Sequence, residues 1–149
     1  MHNTTDFLLH IRQLTKLYES FFKDVCTHHG LTQMELHILS FLIHNPTRDT
    51  AGDIVHLRML PKGHVSQGVE ALIQKGLLHR QQDSLDRRRQ HLTLTAQAAS
   101  IAEEIKQRRI AYETLLFTGF SEEERMQYAA LNQRIAQNAK IALEGNESI

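Results

Sequence analysis

PKGHVSQGVEALIQKGLLHRQQDSLDRRRQHLTLT, residues 61–95, is the stretch on which the reading of this 149-residue chain turns. Its last part, Asp86 to Thr95, sets Arg87, Arg88 and Arg89 side by side just before an alternating apolar segment. Alternation with period two marks a half-buried strand, and LLHRQQ (Leu77 to Gln82) supplies the matching strand upstream. The polar residues between the two are expected to form a hairpin tip, where arginines have nothing of their own to bury. Ahead of the hairpin, Pro61 to Gly76 has helical spacing. Val65, Val69, Leu72 and Ile73 fall on one side of the helix; Gly63, Gln67 and Gln74, flanked by His64 and Ser66, fall on the other. Pro61 suits the first helical position. A helix with a small, hydrogen-bonding outer face followed by a basic hairpin predicts a winged helix.

Working outward, AGDIVHLR and a turn at Met59 and Leu60 precede that helix, which gives a helix-turn-helix. Three helix starts carry a hydroxyl residue followed three positions later by an acid: Thr32 with Glu35, Thr50 with Asp53, and Ser121 with Glu124. Each has the form of a capping box. The helix after Thr32, MELHILSFLIH, is apolar nearly all round and reads as central core, and Pro46 ends it. The first helix is expected from Asp6 to Thr27, with a stripe of Phe7, Ile11, Leu14, Tyr18, Phe21 and Val25, and Gly30 as its stop. A stripe sustained over about three heptads calls for a helical partner. After the hairpin come AQAASIAEEIKQRRIAYETLLF, an interruption at Gly119, and a last helix with Tyr128, Leu131 and Ile135 on one side. The fold class expected is mainly α with a small β-hairpin. Residues 31–95 form the winged helix-turn-helix, and residues 1–30 and 96–149 form a helical dimerisation lobe. The surplus apolar faces of that lobe are most simply buried against a second copy of the chain.

Formal net charge is zero, yet its distribution is uneven: −1 over residues 1–49, +3 over residues 50–95 and −2 over residues 96–149. The positive charge sits with the helix and hairpin, which suits local contact with a polyanion. A single cysteine, Cys26, excludes an internal disulfide framework and fits a reducing compartment. No apolar run reaches the roughly 18 residues of a membrane span, and the N-terminus has no signal-peptide pattern, so a cytoplasmic location is expected. No glycine-rich phosphate loop, nucleophile motif or supported carboxylate pair is present, so no enzymatic activity, no catalytic residue and no cofactor is expected.

The side chains fit contact with double-stranded DNA. Gln67 has the donor–acceptor pair for adenine, Ser66 and His64 suit base edges or phosphate, and Lys62 suits phosphate. Gly63 permits close approach of the backbone, as does Gly68. Asp86 and Arg88, two apart across a tight tip, are expected to pair and hold the guanidinium extended for a minor groove, whose negative potential attracts it. Arg87 or Arg89 then reaches phosphate.

With LTQMELHIL (Leu31 to Leu39), KGHVSQGVEALIQKGLL (Lys62 to Leu78) and DRRRQHLTLT (Asp86 to Thr95), the chain resembles the multiple-antibiotic-resistance regulator (MarR) family of winged-helix transcription factors. The resemblance covers roughly residues 5–143 in element order and is most specific at the wing, an Asp-x-Arg followed by alternating apolar residues and Leu-Thr. It implies an obligate homodimer reading a pseudo-palindromic operator, and the regulator expected is a repressor or an activator, with repressor preferred. It further implies Arg88 in the minor groove, oriented by Asp86, with Lys62, His64, Ser66 and Gln67 at the major groove. Gly63 and Gly68 depart from the side chains such proteins often carry.

Family members commonly respond to small organic compounds, metals or oxidants. An organic effector is expected between the dimer lobe and the winged helix, with Leu14, Leu17, Tyr18, Met34, His37 and Ile38 as candidates; each is also a reasonable core residue. Cys26, near the C-terminal end of its helix, lacks the setting that lowers a thiol pKa and reads as structural. Cys26, His28, His29, Glu35 and His37 are acceptable zinc ligand types, yet their spacing matches no closed site. Gln107, Arg108 and Arg109 occupy positions where zinc-responsive relatives have ligands, so no metal site is expected. The alternatives to a DNA-binding regulator are a winged-helix interaction module or antirepressor without DNA binding, and a zinc-responsive regulator.

Overall fold

The computed structural model describes residues 3–146. Six helices and one hairpin follow in order: α1 (Thr4–His29), α2 (Gln33–His44), α3 (Ala51–Arg58), α4 (Lys62–Gln74), β1 (Leu78–Gln82), β2 (Gln90–Leu94), α5 (Ala99–Leu116) and α6 (Glu122–Asn146). The chain divides into two compact units, one running to Tyr112 and one from Glu113. The first unit holds the winged helix-turn-helix; the mainly helical class with a two-stranded hairpin is the one the sequence predicts.

Local chemistry sets the helix boundaries. Gly30 closes α1 in the left-handed region, φ 63°, where its missing Cβ removes the steric cost. Thr32 and Glu35 form a reciprocal capping box on α2, and Thr50 and Asp53 do the same on α3. The short α3 matches its predicted span, residues 51–58, and ends at Met59 in a left-handed conformation with φ 51°. Pro61 is the cap of α4 rather than its first helical residue, one position from expectation. Thr95 leads first into a short 3-10 turn, Ala96–Ala98, and then into α5.

The core of the first unit centres on α2, whose Leu36, Ile38, Leu39, Phe41 and Leu42 are all buried. Phe22 and Val25 of α1, Ile54 of α3, Val65, Val69 and Leu72 of α4, Leu78 of β1, Leu92 of β2, and Ile101 and Ile105 of α5 complete it. Burial of each such side chain contributes about 1.5–3 kcal/mol before entropy is counted. The hairpin is antiparallel, with Leu78 opposite Leu94, Arg80 opposite Leu92 and Gln82 opposite Gln90. Its base is fastened by Thr95, whose amide donates to Leu77 O and whose hydroxyl donates to Gly76 O at 2.6 Å.

A polar joint connects three helix ends in this unit. Glu35, buried at the start of α2, receives Lys75 Nζ at 2.5 Å, and the same ammonium donates to Gly30 O at 2.7 Å. Lys75 is the C-terminal cap of α4, so the α1–α2 junction and the end of α4 meet on one charge. Removing the lysine would strand a buried carboxylate, which is why the pair holds its position.

The apolar stripe of α1 changes character along its length. Phe7 and Ile11 are exposed, Leu14, Tyr18 and Phe21 are half-buried, and Val25 is fully covered. In the second unit, Ser121 and Glu124 cap α6 as predicted, and Phe117 makes edge contacts with Phe120 and Tyr128. None of the described residues of α6 is buried, and Leu131, Ile135, Ile141 and Leu143 are each more than half exposed. Among the described residues no helix is long and apolar enough to cross a membrane.

Candidate nucleic-acid interface

The outer face of α4 has the composition its spacing predicts. Val65, Val69 and Leu72 are buried, while Lys62, Gly63, His64, Ser66 and Gln67 are exposed. Its one acid, Glu70, is ion-paired with Arg80 of β1 at 2.9 Å, which offsets the single negative charge on the helix. The two glycines differ. A Cβ at Gly63 would meet nothing within 4 Å, so that position is open to an incoming surface. A Cβ at Gly68 would lie 2.6 Å from Ile38 Cδ1 and 3.1 Å from Met34 Cγ. Gly68 therefore serves the close packing of α4 on α2 rather than contact with a ligand.

The wing tip is built by two aspartates acting on backbone. Asp83 Oδ1 accepts from the amides of Leu85 and Asp86 at 2.8 and 3.0 Å, and Asp86 Oδ1 accepts from the amide of Arg88 at 3.0 Å. Gln82 Nε2 donates to Arg87 O at 3.0 Å. Here the expected pairing of Asp86 with the Arg88 guanidinium is corrected. The aspartate engages the main-chain N–H two residues on, the familiar Asx-turn geometry, and so shapes the loop rather than the side chain. Arg87, Arg88 and Arg89 are all exposed, and within the chain no hydrogen bond or ion pair engages their guanidinium groups among the described residues.

Two further contributors were missed in the sequence. Arg48, in the loop before α3, joins Arg88 and Arg89 in lining a cleft that runs along Thr50, Ala51, Gly52 and Asp53 at the N-terminal end of α3 and includes Asp86 of the wing. Three guanidinium groups there face two carboxylates, each already engaged by backbone amides, Asp53 by that of Thr50 and Asp86 by that of Arg88. The cleft's only sequence signal is a basic residue two positions ahead of a capping box. The second is Asp49, which ties the wing to the body. His91 Nδ1 lies 2.7 Å from Asp49 Oδ1, His91 Nε2 lies 2.7 Å from Asp83 Oδ2, and the Leu92 amide donates to Asp49 O at 2.8 Å. Clamped between two carboxylates, with the Asp49 contact the stronger influence, the His91 imidazole is held above its ordinary pKa. The Asp83 carboxyl is held well below the usual carboxylate range, first by His91 and then by the amides of Asp86 and Leu85.

The expected effector residues sit in different settings. Ile38 is fully buried, Met34 packs beside Gly68, Leu14 and Leu17 are half-buried on α1, and the His37 ring stacks on Tyr18 with centroids 6.2 Å apart. Burial, then Arg58, pushes the His37 imidazole below its ordinary pKa, with Glu19 acting in the opposite direction. Tyr18 lines a cavity among α1, α2, α3 and α5, together with Ser40, Phe41, His44, Leu57, Arg58 and Arg109. The Tyr18 and Ser40 hydroxyls are 3.2 Å apart there.

The mixed group of zinc ligand types is likewise dispersed. The Cys26 thiol is buried against Thr32 O at 3.9 Å and raised in pKa by burial and then by Glu35, while Glu35 is committed to Lys75. His28 and His29 meet a different residue, Glu104 of α5.

The chain is similar to proteins described as regulators. A MarR family model matches residues 29–89, from the end of α1 through the wing tip. A solved structure of MarR is 25% identical with a TM-score of 0.66, covering 92% of this chain and 98% of that one. MepR of S. aureus in its DNA-binding conformation is 22% identical with a TM-score of 0.80, over 92% and 99% of the two chains. The S. aureus MepR–DNA complex gives 22% identity and a TM-score of 0.72 over the same shares. No curated protein matches the sequence. The winged helix-turn-helix segment thus matches the MarR family model, and over nearly the whole length the fold is similar to that of solved MarR regulators.

Proposed function

We propose that the chain is a homodimeric, sequence-specific DNA-binding transcription regulator of repressor type that reads a pseudo-palindromic operator. The observation that carries this reading is the pairing of an exposed, hydrogen-bonding α4 face with a wing whose three guanidinium groups have no hydrogen-bond or ion-pair partner among the described residues. In the proposed complex Lys62, His64, Ser66 and Gln67 face the major groove, Gly63 lets the backbone approach, and Arg88 enters the minor groove. Arg87, Arg89 and Arg48 then contact phosphate. Its activity is binding rather than catalysis. The S. aureus relative solved with DNA supports the same reading by analogy.

Two-fold pairing is favoured by the uncovered apolar residues at the N-terminal half of α1 and along α6, which belong to the segments 1–30 and 96–149 assigned to a dimerisation lobe. The effector is proposed to be a small organic molecule. Its cavity is the one lined by Tyr18, Ser40, Phe41, His44, Arg58 and Arg109, where ring faces, hydroxyls and guanidinium groups suit an aromatic compound with an acidic group.

The test is a mobility-shift titration at fixed salt on an operator found by genome-wide footprinting. Arg88→Ala is expected to weaken binding by about 1–3 kcal/mol while leaving the dimer intact. Unchanged affinity would remove the wing from the interface. A wild-type protein showing no steep salt dependence with any duplex would instead identify an interaction module without DNA binding.

A further inference from the structure

At the C-terminal end of α1, two consecutive histidines come together with a carboxylate from α5. The ligand atoms of His28, His29 and Glu104 all lie within 4.8 Å of one another, and His29 Nε2 is 2.7 Å from Glu104 Oε2. The imidazole rings of His28 and His29 are 4.8 Å apart at centroid and inclined by 32°. We propose that these three residues form a binding site for a divalent transition metal of the zinc class, pinning the end of α1 to α5.

Four features support the assignment. Two imidazole nitrogens and one carboxylate oxygen make a donor set suited to zinc, and ligand atoms in a tetrahedral site with bonds of about 2.1 Å stand about 3.4 Å apart. Ion binding would open the His29–Glu104 pair from 2.7 Å and draw in the exposed His28 ring, whose ligand atom already lies within 4.8 Å of the other two. The site lies at a helix C-terminus, where the macrodipole favours a cation. It is also partly open: His29 and Glu104 have about a fifth and a third of their side-chain surface exposed. Three protein ligands leave a fourth position for water, the pattern of an exchangeable rather than a closed structural site. The competing cation nearby, Lys75, is already engaged by Glu35 and Gly30 O.

The experiment is titration of zinc into the full chain in competition with a chromophoric chelator, with no DNA present, so its outcome is independent of the DNA-binding reading. One equivalent per chain is expected. Glu104→Gln and His29→Ala are each expected to weaken uptake by about tenfold or more, while Cys26→Ser and His37→Ala leave it unchanged. Zinc is expected to raise the melting temperature of the wild-type protein and not that of Glu104→Gln, a near-isosteric change on a partly exposed side chain. Magnesium at the same concentration is expected not to compete, since it prefers oxygen ligands and keeps its waters. Absence of zinc uptake by the wild-type chain, full uptake by a His28→Ala, His29→Ala variant, or equal competition by magnesium would each overturn the assignment.

Discussion

α4 and the wing belong to the same proposed interface but are positioned by opposite means. α4 is seated from beneath by Val65, Val69 and Leu72 and by the close approach at Gly68. The wing tip has no buried residue between Arg80 and Arg89 and takes its shape from Asp83, Asp86, His91 and Asp49. One element is therefore fixed mainly by packing, and the other by charge and hydrogen bonds, which respond more strongly to pH and salt. Rigid placement suits a helix that reads base edges. Polar placement suits an element whose arginines must adapt to a groove of variable width.

The largest expected effect tests the packed side of this contrast. Leu72→Ala, fully buried beneath α4, is expected to cost about 2–5 kcal/mol in denaturant unfolding. A loss below about 1 kcal/mol would mean that α4 is not seated by packing. Next comes Gly68→Ala. Overpacking against Ile38 and Met34 costs about 1–3 kcal/mol, and the better helix propensity of alanine returns up to about 1 kcal/mol, so a net destabilisation of about 1–2 kcal/mol is expected. A stabilised variant would show that α2 yields at this point.

The wing is expected to respond in the other direction, with little change in stability and a clear change in binding. Asp86→Ala removes one exposed hydrogen bond to the Arg88 amide and is expected to cost about 0.5 kcal/mol in unfolding. Duplex affinity should fall by more than that, because the tip loses its shape. Equal losses in both measurements would place the wing in the same class as α4. The smallest effect is on the His91 latch and is read by NMR. The raised imidazole keeps both carboxylate contacts below its free value of about 6.5. The latch weakens as pH climbs through the raised value, since a neutral ring must point a lone pair at one carboxylate. At the acid end, the depressed Asp83 carboxyl holds from the ordinary carboxylate range upward and gives way only as pH falls through its lowered value. Asp49→Asn should lower the His91 titration midpoint; an unmoved midpoint would remove Asp49 from the latch.

Features whose partners are three or four residues apart were legible in the sequence. The capping boxes at Thr32, Thr50 and Ser121, the buried side of α4 and the strand alternation around the tip all belong to this class. What was not legible depends on pairs far apart in the chain. Gly68 reads as a site of close approach, but only the fold reveals that Ile38 makes the approach. His91 reads as a strand histidine, and its partner Asp49 lies 42 positions away. The Asp86 misreading has another cause: a side-chain pair and an Asx turn require the same two residues, and the choice between them is made by backbone conformation. Glu104 carries no local signal either, since its partner His29 lies 75 positions away.

The joint at Lys75 makes α4 a strut between the α1–α2 junction and the exposed polar face. Its ammonium grips Gly30 O and Glu35 at one extremity of the helix, while Lys62, His64, Ser66 and Gln67 occupy the other. At 13 residues and 1.5 Å per residue the strut is about 20 Å long. Because Val65, Val69 and Leu72 hold it against the core along that length, α4 answers a change at the junction as one body, together with the packing beneath it.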